Sequence, residues 1–326
     1  MPILLSEQDV RAVLSMDDLI DAVEQSLAQY STGRARQPLR NVLQVGAQHA
    51  FHAVMPAFIE QPATLGTKIV TVYASNSARG LPSHLATIVL LDPETGALRA
   101  IIDGRYITEA RTAAASAVSA RHLALPDARV LAVIGSGVQA HSHIEALVRV
   151  RPIEEVLVWG RTRAHVDTLV AELTPHTTAT LTAVDSVERA VRDADVIALV
   201  TASREPVLPR AWVRPGAHVC AVGACLPDQR EMDTALVKDS RVFVDSRIGA
   251  LAEAGDIVIP LSEGAITEQH IAAEIGQVIA GTDAGRLSPD EITVFKSLGM
   301  GVEDVAAARL AWERAAEKGV GREFQL

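Results

Sequence analysis

Val130-Leu131-Ala132-Val133-Ile134-Gly135-Ser136-Gly137-Val138-Gln139-Ala140 is an apolar run that passes into a Gly-x-Gly-x-x-Ala turn and opens a helix. Five consecutive apolar residues suit a strand buried on both faces. Gly135 permits the tight turn, Gly137 lets backbone approach a pyrophosphate, and small Ala140 lets helix and strand pack closely. A glycine turn alone also joins strands to helices for structural reasons, so the neighbouring sequence decides.

That neighbouring sequence alternates regularly. The pattern predicts strands at 129–134, 155–159, 179–183, 195–200 and 217–222, with helices at 138–149, 163–173 and 186–192. RVFVD (241–245) and ITVFKSLG (292–299) extend the sheet, with a helix at 267–280 between them. The fold class is α/β: a Rossmann-type doubly wound parallel sheet that holds a dinucleotide at Gly135, Ser136, Gly137, Val138 and Gln139.

Upstream the pattern differs. Residues 6–31 read as one helix capped by Ser6. From about 40 to 102, short apolar runs (NVLQV, FHAVMPAFI, GTKIVTVYA, SHLATIVLLD, ALRAII) predict a mainly antiparallel sheet, with a hairpin turn at Asp92-Pro93-Glu94-Thr95-Gly96. An alanine-rich helix at 105–124, ended by Pro126, bridges two domains, and a last helix at 302–317 returns to the first. The division expected is 1–118 with 302–326, and 119–301.

Composition excludes several classes. The 326 residues carry 30 basic and 40 acidic side chains, a formal charge of −10, and are 48% hydrophobic. No basic run attracts nucleic acid or anionic lipid, no stretch approaches a membrane span, and no basic-then-apolar leader opens the sequence. A cytoplasmic protein with no nucleic-acid or membrane partner is expected. Cys220 and Cys225 fit neither a disulfide framework nor a zinc site and read as reduced, buried thiols; no metal is expected, and His49, His52, His141 and His143 show no ligand spacing.

The end of the second parallel strand tests which dinucleotide binds. An NAD site places Asp or Glu there; this chain has Trp159-Gly160-Arg161-Thr162-Arg163. Arg161 and Arg163, with Thr162 between them, can hold a 2′-phosphate with no carboxylate to repel it, so NADPH is preferred and NADH possible; a solvated basic turn is the alternative. Thr201 and Ser203 lie at a later strand end where ligands sit in open sheets, although Ser203 as a helix cap is equally consistent.

Three cations stand apart: Arg40, Lys68 in Gly66-Thr67-Lys68, and Arg111 in Glu109-Ala110-Arg111-Thr112-Ala113-Ala114. Lys68 and Arg111 interrupt apolar or small-residue surroundings, and a buried cation is costly unless paired, which a ligand carboxylate would do.

With these segments, Met55-Pro56-Ala57-Phe58, Gly80-Leu81-Pro82-Ser83-His84-Leu85-Ala86-Thr87 and Lys296-Ser297-Leu298-Gly299, the chain resembles the ornithine cyclodeaminase/μ-crystallin family over essentially its whole length. The resemblance implies a homodimer whose first domain forms the dimer interface and substrate pocket. It also implies that Arg40, Lys68 and Arg111 hold the substrate carboxylate, and that Thr112, Ser297 and Gly299 join the cofactor site. His84 is either a proton donor or cofactor contact, or a histidine satisfied in a strand.

Members of that family divide by reaction. Cyclodeaminases and related alanine dehydrogenases carry an aspartate two residues after the first glycine of Gly223-Ala224-Cys225-Leu226-Pro227-Asp228-Gln229-Arg230-Glu231; here Cys225 stands there. A neutral thiol cannot act as the carboxylate that anchors a substrate ammonium. The resemblance therefore narrows to the ketimine and Δ1-pyrroline/Δ1-piperideine-2-carboxylate reductases, whose substrate is a cyclic imino acid. Ornithine cyclodeamination, alanine dehydrogenation and a crystallin-like NADPH-holding protein are the alternatives. In the reductase reading Arg40 and Arg111 clamp the carboxylate, and Lys68, its pKa lowered by two arginines, relays the imine proton.

Overall fold

The computed structural model describes residues 1–46 and 50–325; His49 lies outside them. In chain order the first elements are β1 (Ile3–Leu5), α1 (Glu7–Val13), α2 (Met16–Ser31), β2 (Ala35–Arg36), β3 (Asn41–Val45), β4 (Ala50–Ile59), β5 (Thr64–Val72), β6 (His84–Leu91), β7 (Leu98–Asp103) and α3 (Arg105–Leu123). Then come β8 (Val130–Ile134), α4 (Val138–Val150), β9 (Glu155–Trp159), α5 (Arg163–Leu173), β10 (Thr180–Ala183), α6 (Val187–Val191), β11 (Val196–Leu199) and β12 (His218–Ala221). They are followed by α7 (Thr234–Asp239), β13 (Arg241–Val244), α8 (Arg247–Glu253), α9 (Gly255–Ser262), β14 (Ile271–Glu274), α10 (Ile275–Ile279), β15 (Thr293–Lys296), α11 (Gly301–Lys318) and β16 (Arg322–Glu323). Two compact units result: residues 1–111 with 300–326, and residues 112–299.

In the first unit the strands run in the order β16-β1-β7-β6-β5-β4-β2, with β3 on β4. The pairing is antiparallel except between β1 and β7. The Asp92 turn forms as expected: Gly96 N–H donates to Asp92 O at 2.8 Å, and the Asp92 side chain accepts from Thr95 N–H. The single helix expected at 6–31 is two. Leu14 is extended, and Ser15 accepts from Asp18 N–H to cap a fresh helix, so the capping chemistry breaks a run that the apolar spacing left continuous.

One face of this sheet is built by Lys68, Val70 and Val72 of β5 opposite Ile88, Ala86 and His84 of β6. Helix α11 packs over β4, β5 and β6 on that face. Gly66 makes the approach possible, because a Cβ there would stand 2.8 Å from Val89 O and 3.0 Å from Val305 Cγ1. The other face leaves Leu43, Ile69 and Leu85 exposed.

In the second unit the order is β10-β9-β8-β11-β12-β15-β13-β14, every adjacent pair parallel. This is the doubly wound sheet that the alternating sequence predicts, with apolar side chains buried on both faces. The helix expected at 267–280 is instead strand β14 followed by the short helix α10. Ile271 and Ala273 alternate into the core beside β13, so edge pairing overrides an alanine-rich, helix-like stretch. Among the described residues no helix is long and apolar enough to cross a membrane, and no group of His, Cys, Asp and Glu could hold a metal ion.

Candidate active site

In the first unit, Lys68 and Arg111 are buried, as their surroundings suggested, yet the protein itself supplies their carboxylates. Lys68 Nζ lies 2.6 Å from Asp304 Oδ2. Arg111 Nε donates to Asp304 Oδ1 at 2.9 Å and Nη1 to Glu303 Oε2 at 2.8 Å. Both acids are fully buried in the first turn of α11, whose start is fixed where Val302 N–H donates to Gln37 Oε1 at 2.9 Å. The expectation that a ligand alone would pair these cations is thus corrected. Asp304 and Glu303 escaped notice because acidic residues in a first helical turn are ordinary complements to the helix dipole.

Burial pushes the Lys68 ammonium down to about 8; Asp304 opposes this, while Arg111 and Arg40 reinforce it. The lowered value expected from the two arginines is present, with loss of hydration as its main cause. Arg111 is held above its ordinary value because Asp304 and Glu303 outweigh burial. Asp304 is held below the carboxylate range because Arg111 and Lys68 outweigh burial. Burial, then Lys68 and Arg111, push His84 down to about 4, so it is a neutral imidazole near pH 7. Arg40, just before β3, is half-buried and close enough for its charge to act on Lys68.

In the second unit, a cavity of about 370 Å³ opens above the carboxyl ends of β8, β9 and β11. Gly135, Ser136, Gly137, Arg161, Thr162, Thr201 and Ser203 line it, as anticipated, with His165 and Val207 in addition. Gly135 has φ +135° and abuts Val200, so both turn and packing demand glycine. Gly137 is different: its φ of −92° suits any residue, and a Cβ there would meet no protein atom. Only a ligand drawn against the backbone requires glycine at that point, which is the fit a pyrophosphate needs. Val138 and Gln139 begin α4, where first-turn amides lack intrahelical acceptors.

Other expected contacts are redirected. Arg163 does not line the cavity; Nε holds Asp167 at 2.7 Å and Nη1 holds Asp185 at 2.9 Å, so carboxylates do stand beside this turn. Arg161 lines the cavity and has no ion-pair partner among the described residues. The Thr201 hydroxyl donates to Glu231 Oε1 at 2.7 Å. Ser203 caps no helix; its hydroxyl donates to Glu205 O. Thr112 is buried on α3, and Ser297 and Gly299 sit in a loop whose Leu298 and Gly299 amides donate to Asp245 Oδ2. Cys220 is buried, but Cys225 is half-buried in the loop beyond β12, donating to Val222 O at 3.3 Å.

The model of the ornithine cyclodeaminase/mu-crystallin family matches residues 1–319. The chain belongs to that family. Rat ketimine reductase mu-crystallin is 40% identical over 316 residues, covering 96% of this chain and 97% of that protein. Bacillus cereus Δ1-pyrroline-2-carboxylate reductase is 34% identical over 325 residues, covering 99% and 100%. The structure of Thermococcus litoralis Δ1-pyrroline-2-carboxylate reductase in complex with NADH and L-proline superposes with a TM-score of 0.96 at 39% identity, covering 99% and 100%. Within the ornithine cyclodeaminase/mu-crystallin family, then, the chain is similar to reductases of imines, the branch to which Cys225 pointed.

Proposed function

We propose that the chain is an NAD(P)H-dependent oxidoreductase acting on C=N. It converts Δ1-pyrroline-2-carboxylate to L-proline and Δ1-piperideine-2-carboxylate to L-pipecolate. The observation that carries this reading is the buried Lys68–Asp304–Arg111 constellation: two cations fixed by protein carboxylates, with Arg40 beside them, in a family whose similar members are imine reductases.

Gly135, Ser136, Gly137, Val138 and Gln139, with Thr112, Ser297 and Gly299, would hold a nicotinamide cofactor, which would supply the hydride for reduction of the imine at C2. Arg40 and Arg111 bind and orient the substrate carboxylate. Lys68 protonates the ring nitrogen, directly or through water, as C2 is reduced; a lysine at about 8 is partly poised for transfer near neutrality. Asp304 aims Lys68 with one oxygen and Arg111 with the other, so donor and clamp share one fixed partner. His84, being neutral, serves as a hydrogen-bonding wall rather than a charged acid.

NADPH is the preferred cofactor and NADH is accepted, a preference that Arg161 supports and that Arg163, occupied by two aspartates, supports less. The exposed apolar residues Leu43, Ile69 and Leu85 on one sheet face suit a homodimer interface. The enzyme acts in the cytoplasm, where both free thiols stay reduced.

The test is to mix purified protein with Δ1-pyrroline-2-carboxylate and follow loss of reduced-nicotinamide absorbance with NADPH and, in parallel, NADH. Rapid oxidation with L-proline as product supports the reading. No oxidation with either cofactor, together with ammonia release from ornithine, overturns it.

A further inference from the structure

Beneath the cofactor cavity lies a buried charge cluster that the mechanism does not use. Glu231, in the loop after β12, is fully buried, and its carboxylate laces the ends of two neighbouring strands. Oε1 accepts from Thr201 N–H at 2.6 Å and from the Thr201 hydroxyl at 2.7 Å, beyond β11. Oε2 accepts from Gly223 N–H at 2.7 Å and Ala224 N–H at 3.2 Å, beyond β12. Its backbone is pinned too: Glu231 and Met232 N–H both donate to Asp256 Oδ1, while Glu231 O accepts from Val207 and Leu208. Asp256 Oδ2 pairs with Lys296 Nζ at 3.0 Å, and Lys296 donates to Ala224 O at 2.6 Å. The strand ends touch so closely that a Cβ on Gly223 would fall 1.9 Å from Thr201 O.

Thr201 and Val207, both tied to Glu231, belong to the cavity wall. Resting on the cofactor reading above, we infer that Glu231 is a positioning residue for the dinucleotide: its ionised carboxylate holds the Thr201 and Gly223 crests in the shape that binds cofactor, and protonation releases them. A protonated carboxyl is a weaker acceptor: on Oε2 its hydrogen would meet only the Gly223 and Ala224 N–H donors, and on Oε1 it can only reverse the bond with the Thr201 hydroxyl, so the ties to the backbone amides slacken. The groups facing Glu231 are Asp256 from α9, Lys296 from β15 and Thr201; Cys225 acts on Lys296. Burial, then Asp256, push Glu231 up to about 7, with Lys296 and the Thr201 bonds opposing. The release therefore falls within the physiological range.

The experiment measures the NADH dissociation constant from nicotinamide fluorescence between pH 5.5 and 9. NADH is chosen because it lacks a titrating 2′-phosphate. Wild type, Glu231→Gln, Thr201→Val and His165→Gln, which removes an imidazole from the cavity wall, are compared, with peptide-level amide exchange over 199–203 and 222–225. Wild-type affinity is expected to fall toward tenfold per pH unit below about 7. His165→Gln, whatever its effect on affinity, keeps the midpoint. Glu231→Gln binds at least tenfold more weakly at pH 8 with a flat profile and exchanges faster at both crests. Thr201→Val, which retains the carboxylate but removes one donor, moves the midpoint upward. Wild-type affinity and slope in Glu231→Gln overturn the inference, and if that variant does not fold, an unmoved midpoint in Thr201→Val does the same. Absence of NADH binding by wild type at every pH overturns the cofactor reading itself, whereas unchanged exchange in Glu231→Gln overturns the lacing alone.

Discussion

Asp304 divides its carboxylate between Lys68 Nζ at 2.6 Å and Arg111 Nε at 2.9 Å. One buried aspartate on the returning helix thus sets the geometry of both the proposed proton donor and the proposed carboxylate clamp.

If Lys68 delivers the proton, Lys68→Met lowers kcat by about 100-fold or more while thermal unfolding stays cooperative, because an apolar chain of similar volume fills the buried site. Turnover within a few-fold of wild type removes Lys68 from the mechanism.

Asp304→Asn leaves two buried cations short of charge and is expected to cost about 3–5 kcal/mol of stability, read from denaturant unfolding. The same substitution withdraws the group that supports the Lys68 ammonium, so the lysine titrates lower still.

The pH dependence follows from that lysine. Its folded value of about 8 lies below its ordinary 10.5, so the protonated donor is lost as pH rises through about 8. kcat at saturating substrate is expected to fall on the alkaline side with a midpoint near there, and Asp304→Asn moves the limb to lower pH. A limb unmoved by that substitution assigns it to another group.

Arg161 and Arg163 separate the two readings of the basic turn. Arg161→Ala raises KM for NADPH about tenfold or more, roughly one charge-assisted contact, and leaves KM for NADH nearly unchanged. Arg163→Ala, which only frees Asp167 and Asp185, has a small effect on both. The opposite ranking assigns the phosphate to Arg163.

The glycine turn supplies a further test. Gly137→Ala meets no protein atom and keeps an allowed backbone, so stability changes by about 1 kcal/mol or less, yet NADH affinity falls at least tenfold. Unaltered affinity means that nothing binds against that backbone.

What the sequence makes legible is local. The parallel sheet announces itself because each strand is a continuous apolar run and the turn at Gly135 carries its own chemistry. Lys68 and Arg111 stand out because charge amid small residues is anomalous. Their partners do not: Asp304 lies far along the chain in a helix start where acids are routine, and Glu231 lies in a loop whose only visible feature is Cys225. Arg163 misleads for the same reason, since Asp185 reaches it from beyond β10. Tertiary pairing also decides Ile271–Glu274, where edge pairing with β13 wins over an alanine-rich pattern.

The proposed reaction is reduction of a cyclic imine at C2. It is tested most directly by incubating the protein with Δ1-pyrroline-2-carboxylate and NADPH deuterated at the transferable position of the nicotinamide, then analysing the product by mass spectrometry and NMR. L-proline carrying one deuterium at C2 is the expected product. Unlabelled proline, deuterium elsewhere in the ring, or no proline at all contradicts it.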